Sequence, residues 1–493
     1  IIDIVKPITK FAVMIDRPDK IKYYLEKAMY IAKSGRPGPV WLDIPMNIQH
    51  AEVNPDQLEG FDPKTMGLQI LPGLSVIPVS LMTNIINQIR KSKRPVIVAG
   101  AGIKIGRAEK DFLKFVSKLK IPVVSTWGGM DILPHDHTLH IGQFGVYGNR
   151  AANFTIQNAD LLISLGSRLD TRQTGGQPKT FAREAIKVVV DIDEEEINKN
   201  WVTPDIPVNA DVKVFLTDLN RVIDGMGFPD FSSWLSTCSQ WKEKYPTVLP
   251  DYQNQKGSVN PYVFIRALSE ILPQNSIIIS DEGGNLVWTI QSFNVKEGHR
   301  LFSAFGCSPM GYALPAAIGA AFAEPNADII CIDGDGGFQL NIQDLQTVKN
   351  YKLPIKIFIL NNNSYGIIKQ FQEIYFEARY EATVSQTGYT SPDFIKVAQA
   401  YGIRTETIRN HSQIDRKLRK ILAAKEPILC NVIINESQKL VPKLAAIRKE
   451  NGEYISKPIE DMLPLLPRDE FRANMLIEPL EEKDENKKPS EIN

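Results

Sequence analysis

"GDGGFQLNIQDLQTVKNYKLPIKIFILNNNSYG", residues 334–366, decides how this chain folds. An apolar strand over 329–332 runs into a Gly-Asp-Gly turn. A helical stretch follows, with Ile342, Leu345 and Val348 on one face, and then a second apolar strand over 355–360 ending in three asparagines. In open α/β sheets, ligands bind beyond the carboxyl ends of the strands. If the two strands are neighbours, Asp335 meets Asn361 and Asn362 in one crevice. Gly334 and Gly336 let the backbone turn sharply and come close to a ligand. A carboxylate and an amide oxygen suit magnesium or calcium, with phosphate oxygens and water completing the shell. The N-terminus of the intervening helix favours an anion at the same place. The stretch therefore predicts a divalent metal holding a diphosphate. The plain alternative is a strand–helix–strand with ordinary glycine turns. Against it, adjacent amides after an apolar strand are costly unless they are satisfied.

Outward from this element the same pattern repeats. "SIIISDEG", "ADIICIDGDG", "LPIKIFILNNN" and "PILCNVII" are the strands of a doubly wound α/β unit expected over 258–435. "RPVIVAGAGI", "IPVVSTWGG", "ADLLISLGSRLD" and "IKVVVDIDEEEI" predict a second parallel sheet over 76–225. Residues 226–257 are expected to be a linker. Residues 1–55 hold a single helix-and-strand piece, too small for a domain, and residues 51–75 read as a Pro- and Gly-containing connection. The tail over 436–493 ends in "EEKDENKKPSEIN", whose charge predicts disorder.

With 493 residues the chain is too long for one core. A net charge of zero argues against a nucleic-acid-coating surface. No apolar run reaches membrane-span length and no signal peptide is visible, so a cytoplasmic protein is expected. The four cysteines are far apart without ligand spacing and read as free thiols, three of them in apolar or small-residue surroundings. The chain opens on Ile1 in mid-pattern, and upstream residues are expected.

Gly-Asp-Gly followed at this distance by Asn-Asn resembles the cofactor motif of the thiamine diphosphate-dependent enzymes. The resemblance sets Gly334, Asp335, Gly336, Gly337, Asn361, Asn362 and Gly366 around the cofactor diphosphate. It gives magnesium the ligands Asp335, Asn362 and a backbone carbonyl near Ser364. "SGRPGPVWLDIP" (34–45), "NADLLISLGSRLDTRQTGG" (158–176), "VVDIDEEEINKN" (189–200) and "FGCSPMGYALPAAIGAA" (305–321) resemble the acetolactate synthase branch. On that likeness the architecture is a partial pyrimidine-binding domain, a central flavin-type domain and a diphosphate-binding domain. The implied activity is decarboxylation of pyruvate and transfer of its two-carbon unit to a second 2-oxo acid, as in branched-chain amino acid biosynthesis. The branch further implies a homodimer or tetramer with its active site at the dimer interface, and a possible regulatory subunit.

The resemblance also assigns individual roles. Met310 matches the apolar residue that bends the cofactor; taken alone it would be a core methionine. Arg172 matches the arginine that holds the carboxylate of the second oxo acid, a bidentate contact a guanidinium makes well; otherwise it is a surface ion pair. Phe371 stands where the family's synthases usually carry a tryptophan that sorts acceptors. The glutamate that starts proton transfer in the family is expected upstream of this sequence. FAD, held as a non-redox relic, is implied by Arg36, Gly100, Gly102, Gly145, Arg168, Asp170, Asp191 and Asp193. The glycines of "VAGAGIKIG" lack the usual dinucleotide spacing and alone read as a strand-to-helix turn. His135, His137 and His140 could suggest zinc and read as structural. "DEGGNLVW" (281–288) lacks the family's usual Gln or His. With Phe371, this marks the acceptor half as altered. Acetyl transfer to another ketone, such as a keto-sugar nucleotide, is the alternative reaction. A non-catalytic or truncated cofactor-binding relic is the alternative of another class.

Overall fold

The computed structural model describes residues 1–66, 77–199, 201–448 and 452–480. Two six-stranded sheets, parallel throughout, organise it. In the first, the strand order is His140–Gln143, Val123–Ser125, Pro95–Ala99, Leu161–Leu165, Ile186–Asp191, Ile206–Asn209. In the second it is Arg300–Phe302, Ser276–Ser280, Asp328–Gly334, Lys356–Asn361, Ile428–Ile433, Arg404–Ile408.

Apolar residues fill both faces of every central strand, because helices cover the sheets on both sides. Alternate residues therefore enter different cores. Ile330 and Ile332 pack with Phe358 and Leu360 in one cluster, whereas Ile329 and Cys331 pack with Ile357 and Ile359 in the other. In the first sheet Ile97 and Ala99 separate from Val96 and Val98 in the same way. The expected neighbouring of the two motif strands is observed: Ile330 to Gly334 lie in register with Lys356 to Leu360.

Three expectations need correction. Residues 226–257 are not a bare linker. They hold the helix Ser232–Lys244, whose Trp234, Cys238 and Trp241 are buried against the central unit. The stretch after Gly-Asp-Gly is not one helix. Asp335–Phe338, a 3-10 turn Gln339–Asp344 and the helix Leu345–Asn350 follow in succession, broken at Asn341 (φ −130°). Asn361 does not lie past its strand; it is the last strand residue, in register with Ile433. The tail turns back onto the central unit, where Ile459, Phe471, Met475 and Ile477 join the buried cluster. Its charged end, 481–493, and the last part of the connection over 51–75 (residues 67–75) lie outside the described residues.

Candidate active site

In the second sheet the chain order reverses between the strands Ser276–Ser280 and Asp328–Gly334. A crevice at the carboxyl ends is expected at such a reversal. Asp281 and Glu282 leave one of these strands there, Asp333 to Asp335 leave the other, and Asn361 to Ser364 arrive from the next.

Asp335 and Asn362 are both buried. The inward atom of the Asn362 amide lies 3.0 Å from Asp335 Oδ1 and 2.9 Å from the Ser364 carbonyl oxygen. As nitrogen it donates to both. As oxygen it stands from each of the other two oxygens at the edge length of a small octahedral shell with ligands at about 2.0–2.1 Å. The donor set therefore fits a hard divalent cation. The Tyr389 hydroxyl donates to Asp335 Oδ2 at 2.7 Å. Burial pushes the Asp335 carboxyl up to about 6, opposed by that tyrosine hydrogen bond. Among the described residues no group of three or more His, Cys, Asp or Glu side chains could hold a metal ion, His135, His137 and His140 included. His140 is a buried core residue next to Ser125 Oγ (3.1 Å).

Glycine at 336 and 337 is a packing requirement. A Cβ on Gly336 would run into the Tyr365 ring with Met310 Cε at 3.4 Å; one on Gly337 would collide with the Asp281 carboxylate. The side chain of Met310 thus reaches the Gly-Asp-Gly turn while the residue stays 37% exposed. Its loop is held by Asp281, whose carboxylate accepts from the amides of Gly311 (3.0 Å), Tyr312 (2.6 Å) and Ala313 (3.0 Å). Asp281 in turn shares a hydrogen bond with Asp333. Burial and the neighbouring Asp281 charge push the Asp333 carboxyl well above the ordinary range. Asn362 Nδ2 lies 2.6 Å from where a Cβ on Gly366 would stand.

Arg172 stands on the other side of Met310's loop. Its Nη1 donates to Ser308 Oγ and to the Phe305 carbonyl (3.3 Å), lies 3.9 Å from Glu282 Oε1, and its guanidinium sits 5.4 Å from the centre of the Trp127 ring. Burial pushes Glu282 up to about 7, with Arg172 opposing. Phe371 lies one helix turn beyond Gly366, 41% exposed. Its ring faces Tyr375 at 5.3 Å and the ammonium of Lys443 at 4.5 Å.

The residues expected at a flavin gather at two places. Gly100 and Gly102 sit at the order reversal of the first sheet, where Gly166 fills the space; a Cβ on Gly102 would stand 2.6 Å from Gly166 Cα. Gly145 packs against the Arg172 backbone. Arg36 pairs with Asp193 and Glu196 (3.1 Å), and Arg168 with Glu196 (2.8 Å). Asp191 Oδ1 accepts from the Asp193 amide (3.0 Å). Asp170 caps the turn Thr171–Thr174 and accepts from the Arg172 amide (3.0 Å).

Sequence reasoning missed Asp281, Glu282, Asp333, Tyr389 and Lys443. Acids inside or directly after apolar strands were a usable signal for Asp281 and Asp333. Tyr389 reaches the site from a loop and Lys443 from the two-residue strand Lys443–Leu444, and neither carried one.

The fold and this crevice define a class. Residues 281–432 match the family model of the thiamine pyrophosphate enzyme C-terminal TPP binding domain, and residues 82–219 match that of the thiamine pyrophosphate enzyme central domain. Within that class, the chain belongs to the family of the acetolactate synthase large subunits. It is 35% identical over 451 residues to the probable acetolactate synthase large subunit of Methanocaldococcus jannaschii, covering 88% of this chain and 73% of that one. It is 35% identical over 448 residues to the acetolactate synthase large subunit of Lactococcus lactis (90% and 75% covered). It is 34% identical over 462 residues to that of Cyanidium caldarium (92% and 77%).

Proposed function

We propose that the protein is a thiamine diphosphate- and magnesium-dependent carboligase that decarboxylates pyruvate and joins its two-carbon unit to a second 2-oxo acid. With pyruvate as acceptor, two pyruvates and one proton give 2-acetolactate and carbon dioxide. The observation that carries this reading is the Asn362 amide set 2.9 Å from the Ser364 carbonyl oxygen and 3.0 Å from Asp335 Oδ1, next to the Gly-Asp-Gly turn that Met310 reaches, at the carboxyl ends of adjacent parallel strands.

When bound, the cofactor supplies the electron sink for decarboxylation. The chain's own residues bind and orient. Asp335, Asn362 and the Ser364 carbonyl would hold the magnesium, whose charge would offset that of the diphosphate. Gly334, Gly336, Gly337, Asn361 and Gly366 would line the diphosphate site; at Gly336 and Gly337 the missing side chain makes room for Tyr365 and Asp281. Met310, its loop fixed through Asp281, would be the apolar residue against the cofactor. Arg172, the residue expected at the incoming carboxylate, lies on the acceptor side with its guanidinium turned to Ser308, the Phe305 carbonyl and Glu282, and Phe371 forms the apolar wall.

FAD is proposed as a second, non-redox cofactor. The gathering of Arg36, Arg168, Asp191 and Asp193 at one end of the central sheet supports it. The filled space at Gly100, Gly102 and Gly145 and the internal pairing of both arginines oppose it. No step depends on it. Among the described residues no helix is long and apolar enough to cross a membrane. We further propose a cytoplasmic homo-oligomer with the active site at a subunit boundary, open to a regulatory subunit.

Product analysis tests the reaction: pyruvate with thiamine diphosphate and magnesium yields acetolactate. Carbon dioxide release without any acetolactate would leave a decarboxylase with a different acceptor, a keto-sugar nucleotide being the first to try.

A further inference from the structure

Lys443 is 3% exposed, and its ammonium has no hydrogen-bond partner among the described residues. Three aromatic rings surround it: Phe371 at 4.5 Å, Tyr147 at 5.8 Å and Tyr375 at 6.0 Å from their centres. Burying an ammonium costs several kcal/mol unless an anion and hydrogen bonds compensate. Ring faces attract the charge but accept none of its three protons as an oxygen would. Burial lowers the amine to about 8, so it remains mostly cationic at neutral pH.

The neighbourhood belongs to the acceptor side. The Leu444 amide donates to the Val146 carbonyl (2.7 Å), and the Val146 amide donates to the Arg172 carbonyl (2.8 Å). Gln291, on the helix that follows Glu282, donates to the carbonyls of Tyr147 (3.0 Å) and Pro442 (2.7 Å). The Leu440 amide donates to Gln370 Oε1 (2.9 Å), next to Phe371. The segments carrying Arg172, Lys443 and Phe371 are thus tied together around Tyr147. Of the two cations, Arg172 is already answered from within by Ser308, the Phe305 carbonyl and Glu282. Lys443 is not.

We propose that Lys443 is an acceptor-binding residue that receives the carboxylate of the second 2-oxo acid on the face of Phe371. This rests on the carboligase reading of the same site. It assigns Phe371 a function as well: a ring that holds the buried ammonium in place, 4.5 Å from its centre.

The test uses the full-length holoenzyme and two readouts. Acetolactate formation against pyruvate concentration reports the acceptor step; ferricyanide-coupled decarboxylation intercepts the reaction before the acceptor is used. Lys443→Met is expected to raise the pyruvate requirement of carboligation roughly 10- to 150-fold, the range of a charge-assisted contact of about 1.5–3 kcal/mol. Decarboxylation should change far less, and Lys443→Arg should recover most of the loss. An unchanged pyruvate requirement in Lys443→Met overturns the proposal and leaves a lysine anchored by aromatic rings alone. Should that variant not fold, acetic anhydride labelling of the wild type decides. Pyruvate or 2-oxobutyrate should protect Lys443 where acetaldehyde does not. No labelling in the free protein, or labelling that the oxo acid does not reduce, also overturns it. If the wild type decarboxylates pyruvate yet forms no acetolactate, the carboligase reading fails, while the protection result still judges Lys443.

Discussion

Asp335 supplies the single carboxylate of the proposed three-oxygen metal site, so its charge sets the hold on the diphosphate. Asp335→Ala should weaken magnesium-dependent thiamine diphosphate binding by at least about 10-fold, about 1.4 kcal/mol, since changes even outside the ligand shell cost that much. Isothermal calorimetry with unchanged affinity would refute the ligand role. Glu282 gives a second prediction through pH. Its folded value of about 7 lies above the ordinary 4.5. The folded state therefore holds a proton that the unfolded state loses first, and stability falls as pH rises from about 4.5 through about 7. A shift of this size corresponds to at most on the order of 3 kcal/mol. Glu282→Gln should lose less thermal stability than wild type between pH 5 and pH 8. Parallel unfolding midpoints across that range would show that Glu282 ionises freely. The motif residues Asp335 and Asn362 were legible because their spacing implied two neighbouring strand ends. Glu282 was not legible, because its meaning depends on Arg172, more than a hundred residues away.

At the scale of elements, the Met310 loop is the part most dependent on one side chain. Asp281 accepts three successive amides at the start of the helix Ala313–Ala323. Asp281→Ala strands those buried donors and should destabilise the protein by at least about 2 kcal/mol. Limited proteolysis should show faster cleavage around 304–310, and resistance equal to wild type would contradict the role. Alternation of apolar residues could not place these strands on two faces, because both faces are buried and the strands read as continuous apolar runs. The strand-to-strand distance in sequence did predict their parallel pairing. The break at Asn341 escaped notice since Ile342, Leu345 and Val348 fit one helical face, and Leu345 and Val348 are buried regardless of it. The helix Ser232–Lys244 was hidden by its weak apolar stripe; three large side chains anchor it.

For the whole molecule, the two-sheet architecture followed from eight apolar segments, whereas the cofactor content of the central unit did not. Arg36 pairs with Asp193 and Glu196, and Arg168 with Glu196, so these charges alone do not call for a flavin. Purified protein should be yellow with FAD, and its absorbance should not change during turnover. A colourless preparation, fully active without added FAD, would remove flavin from the account. The central claim joins both halves of the chain: the metal-held diphosphate site and the acceptor side must act on one pyruvate after another. The most direct measurement is acetolactate formation by the full-length protein from pyruvate, titrated with thiamine diphosphate in the presence and absence of magnesium. The account predicts a product that requires both and is lost in Asp335→Ala. Acetolactate formed equally well without them, or by Asp335→Ala at the wild-type rate, would contradict it.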